Sequence, residues 1–365
     1  MKNPYKSYKM KLTTLSPVFI GGGDFNDYSK LQYVLSNNKL KIINEGKFMN
    51  FLNTSKCLEN FIKYISTPIY NKKGKIISPN LKNWISDNFG NRELDIYDRI
   101  EDIDNLENIS NINFIRSFIK NSDNNPYIPG SSIKGAIRTA LFSKFIEDMG
   151  DSIATEKIKA EMSNIIVSDS KPLTKKDLMY RQTKHQQLIS DSNSIKKNGN
   201  LKIDYKFMNV DNDLKEILRE GIITYFNITL NNKCIYSIEE ILEIINNHYK
   251  KVLDENKKID NISSDLKTRI PVANCLPNIN IGGQSGLNTK IVLRALSKNE
   301  AEYKERKKNL LDKSKQSRKH NHLAICAPRC LRVVRRYKKE VEWYMPLGWC
   351  NLSIDKEINV SDITN

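Results

Sequence analysis

The stretch Tyr127-Ile-Pro-Gly-Ser-Ser-Ile-Lys-Gly-Ala-Ile-Arg-Thr139 combines a turn, a helix start and a cationic face within thirteen positions. Pro129-Gly130 supplies the turn, Ser131 or Ser132 the N-cap and Gly150 the stop, so the spacing predicts a helix over 131–149. Ile133, Ile137, Ala140, Leu141 and Phe145 form its apolar stripe. The first turn of a helix leaves backbone N–H groups unpaired at a partially positive end. Ser131 and Ser132 add hydroxyls there, Gly135 allows close approach of another backbone, and Lys134 and Arg138 share one face four residues apart. Such a start can hold phosphates without reading bases. On these residues alone, a capped core helix with solvated cations is the alternative.

Upstream, Met10, Leu12 and Thr14 alternate with polar residues as in a half-buried strand that ends at Pro17. Gly21-Gly-Gly23 follows, then Asp24 and Asp27, and further strands over 31–35 and 40–43 complete a small meander. From Glu45 to Asn125 the apolar spacing turns helical (Phe48, Phe51, Leu52, Leu58, Phe61, Ile62, Ile65) with nearly balanced charge, which suggests an insertion that packs on the core or meets a protein neighbour. Downstream, strands are predicted at 165–167, 201–207 and 222–230. Helices are predicted at 238–253 and 295–313, and a polar loop at 191–200.

The chain of 365 residues carries a formal charge of +17 and a pI near 9.4, so its partner is a polyanion. No apolar run is long enough to span a bilayer and the N-terminal residues lack a signal-peptide pattern, which favours nucleic acid in the cytoplasm over a membrane surface. The six cysteines are then expected as reduced thiols.

A second glycine loop, Gly282-Gly-Gln-Ser-Gly-Leu-Asn-Thr-Lys290, is neither a Walker A motif nor a dinucleotide fingerprint. Gly-rich turns that expose amides beside Ser285 and Lys290 suit a sugar-phosphate chain, although a plain hairpin turn explains the glycines equally well. Between Lys313 and Lys339 lie ten Lys or Arg and no acid; Val333 and Val334 between Arg332 and Arg335-Arg336 suggest a strand with surface charges for RNA or a neighbouring subunit. His320, His322, Cys326 and Cys330 form a weak candidate zinc set, against which the loose Cys-x3-Cys spacing stands.

The order of four landmarks resembles the RAMP (repeat-associated mysterious protein) superfamily of CRISPR subunits: Ser16-Pro-Val-Phe-Ile-Gly-Gly-Gly23, the Ile128–Arg138 helix start, Val167-Ser-Asp-Ser170 and the late glycine loop. Within it, these landmarks and the Pro346-Leu-Gly-Trp349 ending are similar to those of subunits at the crRNA 3′ end of type III-A Csm interference complexes. The resemblance implies an α+β protein with a ferredoxin-like (RRM-related) core over 1–44 and 126–295, a helical insertion over 45–125 and a basic C-terminal extension over 296–365. It also implies binding of crRNA through its backbone, with contact to target RNA and a host nuclease for 3′ trimming as further partners. Assembly against the backbone and small subunits of the complex and a role in crRNA maturation and antiviral defence follow from it, with no cofactor. The RNA-binding residues implied are Gly21, Gly22, Gly23, Ser131, Ser132, Lys134, Gly135, Arg138, Gly282, Gly283, Gln284, Ser285, Gly286, Lys290, Arg332, Arg335 and Arg336. No aromatic pair for base stacking stands out on the predicted central strands.

The rival reading is a RAMP-family endoribonuclease that processes pre-crRNA. It needs converging carboxylates or a placed His. Asp24 and Asp27 follow a glycine turn, where Asp is a common turn former, and His185 and His248 lie far from the motifs. The expectation is therefore a binding subunit without its own chemistry.

Overall fold

The computed structural model describes residues 4–36, 38–70, 74, 76–90, 92, 94–103, 112–195, 201–257, 275–286, 289–290, 292–313, 330–338 and 341–358. In chain order the elements are β1 (Tyr5–Thr14), β2 (Tyr28–Ser29), β3 (Tyr33–Ser36), β4 (Lys39–Ile43), α1 (Glu45–Thr54), α2 (Leu58–Ser66), β5 (Ile69–Tyr70), β6 (Ile76–Ile77), α3 (Leu81–Phe89), β7 (Tyr97–Asp102) and β8 (Phe114–Arg116). They continue as α4 (Gly130–Met149), α5 (Asp151–Ser163), β9 (Ile165–Val167), β10 (Leu178–Ile195), β11 (Leu201–Leu218), β12 (Ile223–Asn231) and α6 (Ile238–Lys257). Last come β13 (Ile279–Asn280), α7 (Glu300–Lys313), β14 (Cys330–Lys338), β15 (Val341–Pro346) and β16 (Trp349–Ile358).

The first sheet has the order β13-β16-β1-β12-β9, antiparallel throughout. Alternation in β1 and β12 buries Met10, Leu12, Phe226 and Ile228 against Ile137, Leu141, Phe145, Ile245 and Tyr249 of α4 and α6. Each such side chain contributes about 1.5–3 kcal/mol on burial. Tyr249 also donates its hydroxyl to the Ala136 carbonyl at 3.2 Å, fixing α6 on α4. The opposite face stays open. There Lys9 pairs with Asp355 at 2.7 Å and lies 4.3 Å from the Tyr225 ring centre.

The second sheet, β15-β14-β10-β11-β8-β2, is anchored to the first by the Val18–Leu218 bridge and by Phe19, Met179, Ile217, Val334 and Leu347. At its centre the buried Glu216 accepts from Phe118 N–H (3.1 Å), Lys120 Nζ (2.7 Å) and the Tyr180 hydroxyl (3.0 Å). A charge can stay buried when it is this fully hydrogen-bonded. β3, β4 and β7 form a third sheet. The helices α1–α3 enclose Phe48, Phe61, Trp84 and Phe89, stacked edge to face at 4.9–6.1 Å.

Several sequence expectations differ from this arrangement. Residues 45–125 do hold three helices, but β7 pairs with β4, and β8 runs parallel to β11, so the segment is woven into the sheets instead of appended. β16, expected in the C-terminal extension, lies beside β1 in the first sheet, because its Leu352 faces Leu12 across the register and buries on the same helices. The expected loop at 191–200 begins inside β10; residues 196–200 lie outside the described set. Polar residues fit there because a paired ribbon is held by backbone hydrogen bonds, which need no apolar alternation.

Cys57, Cys234, Cys275 and Cys350 are free thiols. Burial, then the hydrogen bond to Glu161, pushes the Cys234 thiol up to about 12. No helix among the described residues is long and apolar enough to cross a membrane.

His248 on α6 is 8% exposed with no partner for Nε2. Burial, reinforced by Lys251 and opposed by Glu147, lowers its pKa from 6.5 to about 4. The unfolded chain therefore binds an extra proton between those values, and stability falls as pH drops from about 6.5 towards 4. The loss should reach roughly 3 kcal/mol. His248→Gln is expected to flatten this limb in urea titrations between pH 6.5 and 4; an unchanged limb would assign it to other groups.

Candidate nucleic-acid interface

Both glycine loops and the start of α4 lie at one end of the first sheet. The chain leaves β1 through Leu15–Ile20, and four backbone hydrogen bonds tie this segment to the late glycine loop and to the start of β16. Phe19 O accepts from Gly283 N–H at 2.7 Å, Pro17 O accepts from Gly348 N–H at 2.8 Å, and Trp349 O accepts from Leu15 and Ser16 N–H at 2.9 and 3.0 Å. Gly282 has φ +84°, and a Cβ built on it would lie 2.4 Å from Phe19 O. Only glycine fits that position. Gly21 and Gly22 pair with Phe118 and Ser117. The two glycine loops, 260 residues apart in numbering, are thus adjacent.

The helix start differs from its expected form. The N-cap is Pro129, and neither Ser131 nor Ser132 makes a capping bond. Instead Gly130 N–H donates to Asp169 Oδ1 at 2.7 Å, and Ile128 N–H donates to Ser170 Oγ at 2.9 Å. A Cβ at Gly130 would meet Val167 O at 2.4 Å, so the β9 turn presses directly on the helix end. The Val167-Ser-Asp-Ser170 turn is therefore the cap, with a carboxylate placed where the dipole favours one. One amide expected to face phosphate is already engaged. What remains outward is Ser131 and Gly135, both exposed, Lys134 and Ser132, half-buried, and Arg138, exposed beside the Phe142 ring. Nothing lies within 4 Å of a Cβ built at Gly135, so that side of α4 is open.

In the late loop, Gly283 and Lys290 are exposed, whereas Ser285 and Thr289 turn inward. Their hydroxyls bond each other at 3.0 Å and Thr289 donates to Gly286 O at 2.8 Å. Ser285 thus shapes the turn and is not presented outward. Gln284 has φ +63° and a buried Oε1 without a hydrogen-bond partner.

Arg332 and Arg335 lie half-buried on β14, opposite His185 and Tyr344 in register; Arg336 faces Trp343, and its side chain lies outside the described set. Val334 of β14 packs with Phe19, which brings this basic strand under the glycine loops. His320, His322 and Cys326 lie outside the described residues, as does the side chain of Cys330. Among the described residues no group of three His, Cys, Asp or Glu could hold a metal ion.

Asp24 and Asp27 both meet one guanidinium. Arg116 bonds Asp27 at 2.5 Å, Asp24 at 3.1 Å and Asp213 at 3.2 Å, and Asp27 also accepts from Ser117 N–H at 2.9 Å. The bond to Asp27, outweighing burial, raises the Arg116 pKa. Sequence reasoning missed this clamp, as it missed the Asp169 cap, because acid and base come from segments about ninety and forty residues apart. It also overlooked Tyr225, a single aromatic on the open face of β12.

The RAMPs family model, described as the RAMP superfamily, matches residues 11–320. The chain belongs to the RAMP superfamily. Among curated relatives it is similar to the CRISPR system Cms protein Csm5 of Streptococcus thermophilus, at 31% identity over 50% of this chain and 56% of that protein. A Csm5 of Methanocaldococcus jannaschii is 29% identical over 40% of this chain and 35% of that protein. The matches thus span little more than half of these relatives at most. In fold, this RAMP chain is similar to a chain of the cryo-EM Csm–crRNA–target RNA ternary complex of a type III-A CRISPR-Cas system (TM-score 0.62, 18% identity, covering 95% of this chain and 100% of that one). It is also similar to the crystal structure of T. onnurineus Csm5 (TM-score 0.56, 17% identity, covering 93% and 99%).

Asp169→Asn removes a negative charge from the open end of α4. It is expected to lower stability by about 0.5–1 kcal/mol and to tighten RNA binding, as read by thermal melting and by fluorescence anisotropy. Weaker RNA binding with intact stability would mean that Asp169 contacts the ligand itself.

Proposed function

We propose that this chain is an RNA-binding subunit of a type III-A CRISPR-Cas (Csm) effector complex. In this reading it grips the 3′ region of crRNA through the sugar-phosphate backbone and caps the filament of backbone subunits. Its partners are crRNA, the target RNA paired to it, and the neighbouring backbone and small subunits. It supports crRNA 3′-end maturation, and so antiviral defence, by positioning a separate nuclease. The first sheet, with α4 and α6 as its two crossovers, is the ferredoxin-like unit of such a subunit.

One observation carries this reading: the two glycine loops and the Ser131–Arg138 face of α4 share one end of a sheet in a chain of net charge +17. That surface offers backbone amides, hydroxyls and two cations to a polyanion, while the bases of a guide stay free to pair. The similarity to Csm5 proteins points to the same assembly. In favour of a binding role without chemistry, Asp27 is held by Arg116 and His248 is buried among α4 and α6.

Lys134→Ala/Arg138→Ala should weaken single-stranded RNA binding equally for unrelated sequences and reduce the slope of log Kd against log salt by about 0.7 per lost phosphate contact. Unchanged affinity and slope would overturn the interface. Incubation of the chain with RNA and Mg²⁺ should give no cleavage; an activity abolished by Asp24→Ala would favour an endoribonuclease instead. Native mass spectrometry of the complex should find one copy of this chain.

A further inference from the structure

Between the first glycine loop and the start of α4 the chain makes a ladder of short extended segments. Gly21 bridges to Phe118 and Lys120 bridges to Pro126. On the far side of that segment, Pro126 O accepts from Leu173 N–H at 2.7 Å and Ile128 O accepts from Ser170 N–H at 2.9 Å. Pro126 and Ile128 are buried, so Tyr127 between them turns to the outer side of the ladder, where it is half-buried. Two residues, Lys171 and Pro172, stand opposite this one between the two hydrogen bonds, as at a bulge, and both are exposed. The ring of Tyr127 thus lies between the first glycine loop and the cationic face of α4.

A separate observation concerns what covers the aromatic rings of this protein. The half-buried rings of Tyr28, Tyr97, Tyr225 and Phe142 each carry a cation, from Lys120, Lys41, Lys9 and Arg138. Tyr236 stacks on Phe145, and the Tyr64 hydroxyl donates to Asn80 O. Among the described residues no cation, ring or hydrogen-bond partner meets the side chain of Tyr127, and the ammonium of Lys171 is in no ion pair. Nor does Tyr127 belong to the core packed beneath α4. An outward ring opposite an unpaired lysine is what single-stranded nucleic acid needs: a base stacks on the one and a phosphate pairs with the other.

We propose that Tyr127 and Lys171 form a nucleotide subsite just before α4, in which one base of a single-stranded RNA stacks on the Tyr127 ring while Lys171 pairs with its phosphate. The strand then continues onto the Ser131–Arg138 face. This rests on the RNA-binding reading above and adds to it a contact that accepts any base, since every base has a face to stack. Stacking leaves the pairing edge of the base open, so the contact is compatible with a guide.

The test measures binding of single-stranded RNA to the full chain by fluorescence anisotropy across a salt series. Tyr127→Leu should cost about tenfold in affinity, the scale of one stacked base, with an unchanged slope of log Kd against log salt. Lys171→Ala should instead reduce that slope by about 0.7, the share of one phosphate. Tyr127→Phe should bind as the parent does, because the ring and not the hydroxyl makes the contact. Tyr127→Trp keeps a ring at the position; it should bind, and RNA should quench its emission beyond that of the parent. Parental affinity of Tyr127→Leu, a loss with Tyr127→Phe as large as with Tyr127→Leu, or no added quenching in Tyr127→Trp overturns the subsite. The RNA-binding reading then stands or falls with Lys134→Ala/Arg138→Ala, whereas absence of RNA binding by the parent chain overturns both. Full RNA affinity of Tyr127→Leu together with its loss from the reconstituted complex would assign the ring to a neighbouring subunit and overturn the subsite as well.

Discussion

The meeting of the two glycine loops depends on a set of backbone hydrogen bonds between three segments distant in sequence: residues 15–19 after β1, 281–283 at the entry to the late loop, and 348–349 at the start of β16. These bonds join main-chain groups, and two side chains brace them: Trp349 N–H donates to Ser16 Oγ at 2.9 Å, and Asn280 Nδ2 donates to Leu347 O at 3.0 Å. Gly282 must lack a Cβ to let Phe19 O approach, and Gly348, at φ +89°, must lack one that would lie 2.4 Å from Ile281 O. Once they form, both glycine loops and the basic strand β14 fall into place around Phe19. The arrangement explains why the glycines are individually uninformative and jointly decisive.

A second constraint works from below. Glu216 draws Phe118, Lys120 and Tyr180 together, and Arg116 does the same for Asp24, Asp27 and Asp213. Between them they fix the 116–120 segment against β11 and against the loop that follows Gly23. The same contacts pair the acids beside the first glycine loop with Arg116 and Lys120. A basic protein that holds its local carboxylates in internal ion pairs keeps a positive field over the surface that matters.

The sequence reveals elements with strong internal periodicity and hides those specified by distant partners. β9 falls on its expected limits and α4 and α6 stand close to theirs, α4 because it carries its own apolar stripe and the Gly150 stop, whereas α7 begins five residues later than expected. The helical character of 45–66 is also legible from its apolar spacing, yet the pairing of β7 with β4 and β8 with β11 is not, because short strands are defined by their neighbours. At the site, the helix start and both glycine loops can be read directly. The Asp169 cap, the inward turn of Ser285 and the Arg116 clamp require knowing which segments meet. Ser131 and Ser132 mislead for a definite reason: a serine at a helix start is the usual cap, and here the neighbouring turn already supplies a carboxylate.

The position of β16 between β13 and β1 bears on how the molecule comes into being. Lys9 meets Asp355 across 346 residues of sequence, so β1 waits for a direct neighbour that is synthesised long after it. Until then one edge of β1 is bare while its apolar face is already made. Long-range pairing of this kind slows folding and leaves a sticky strand exposed to other chains. The nascent subunit thus passes through a window in which a chaperone, or a swapped strand from a second copy, competes with its own C-terminal segment for the same edge.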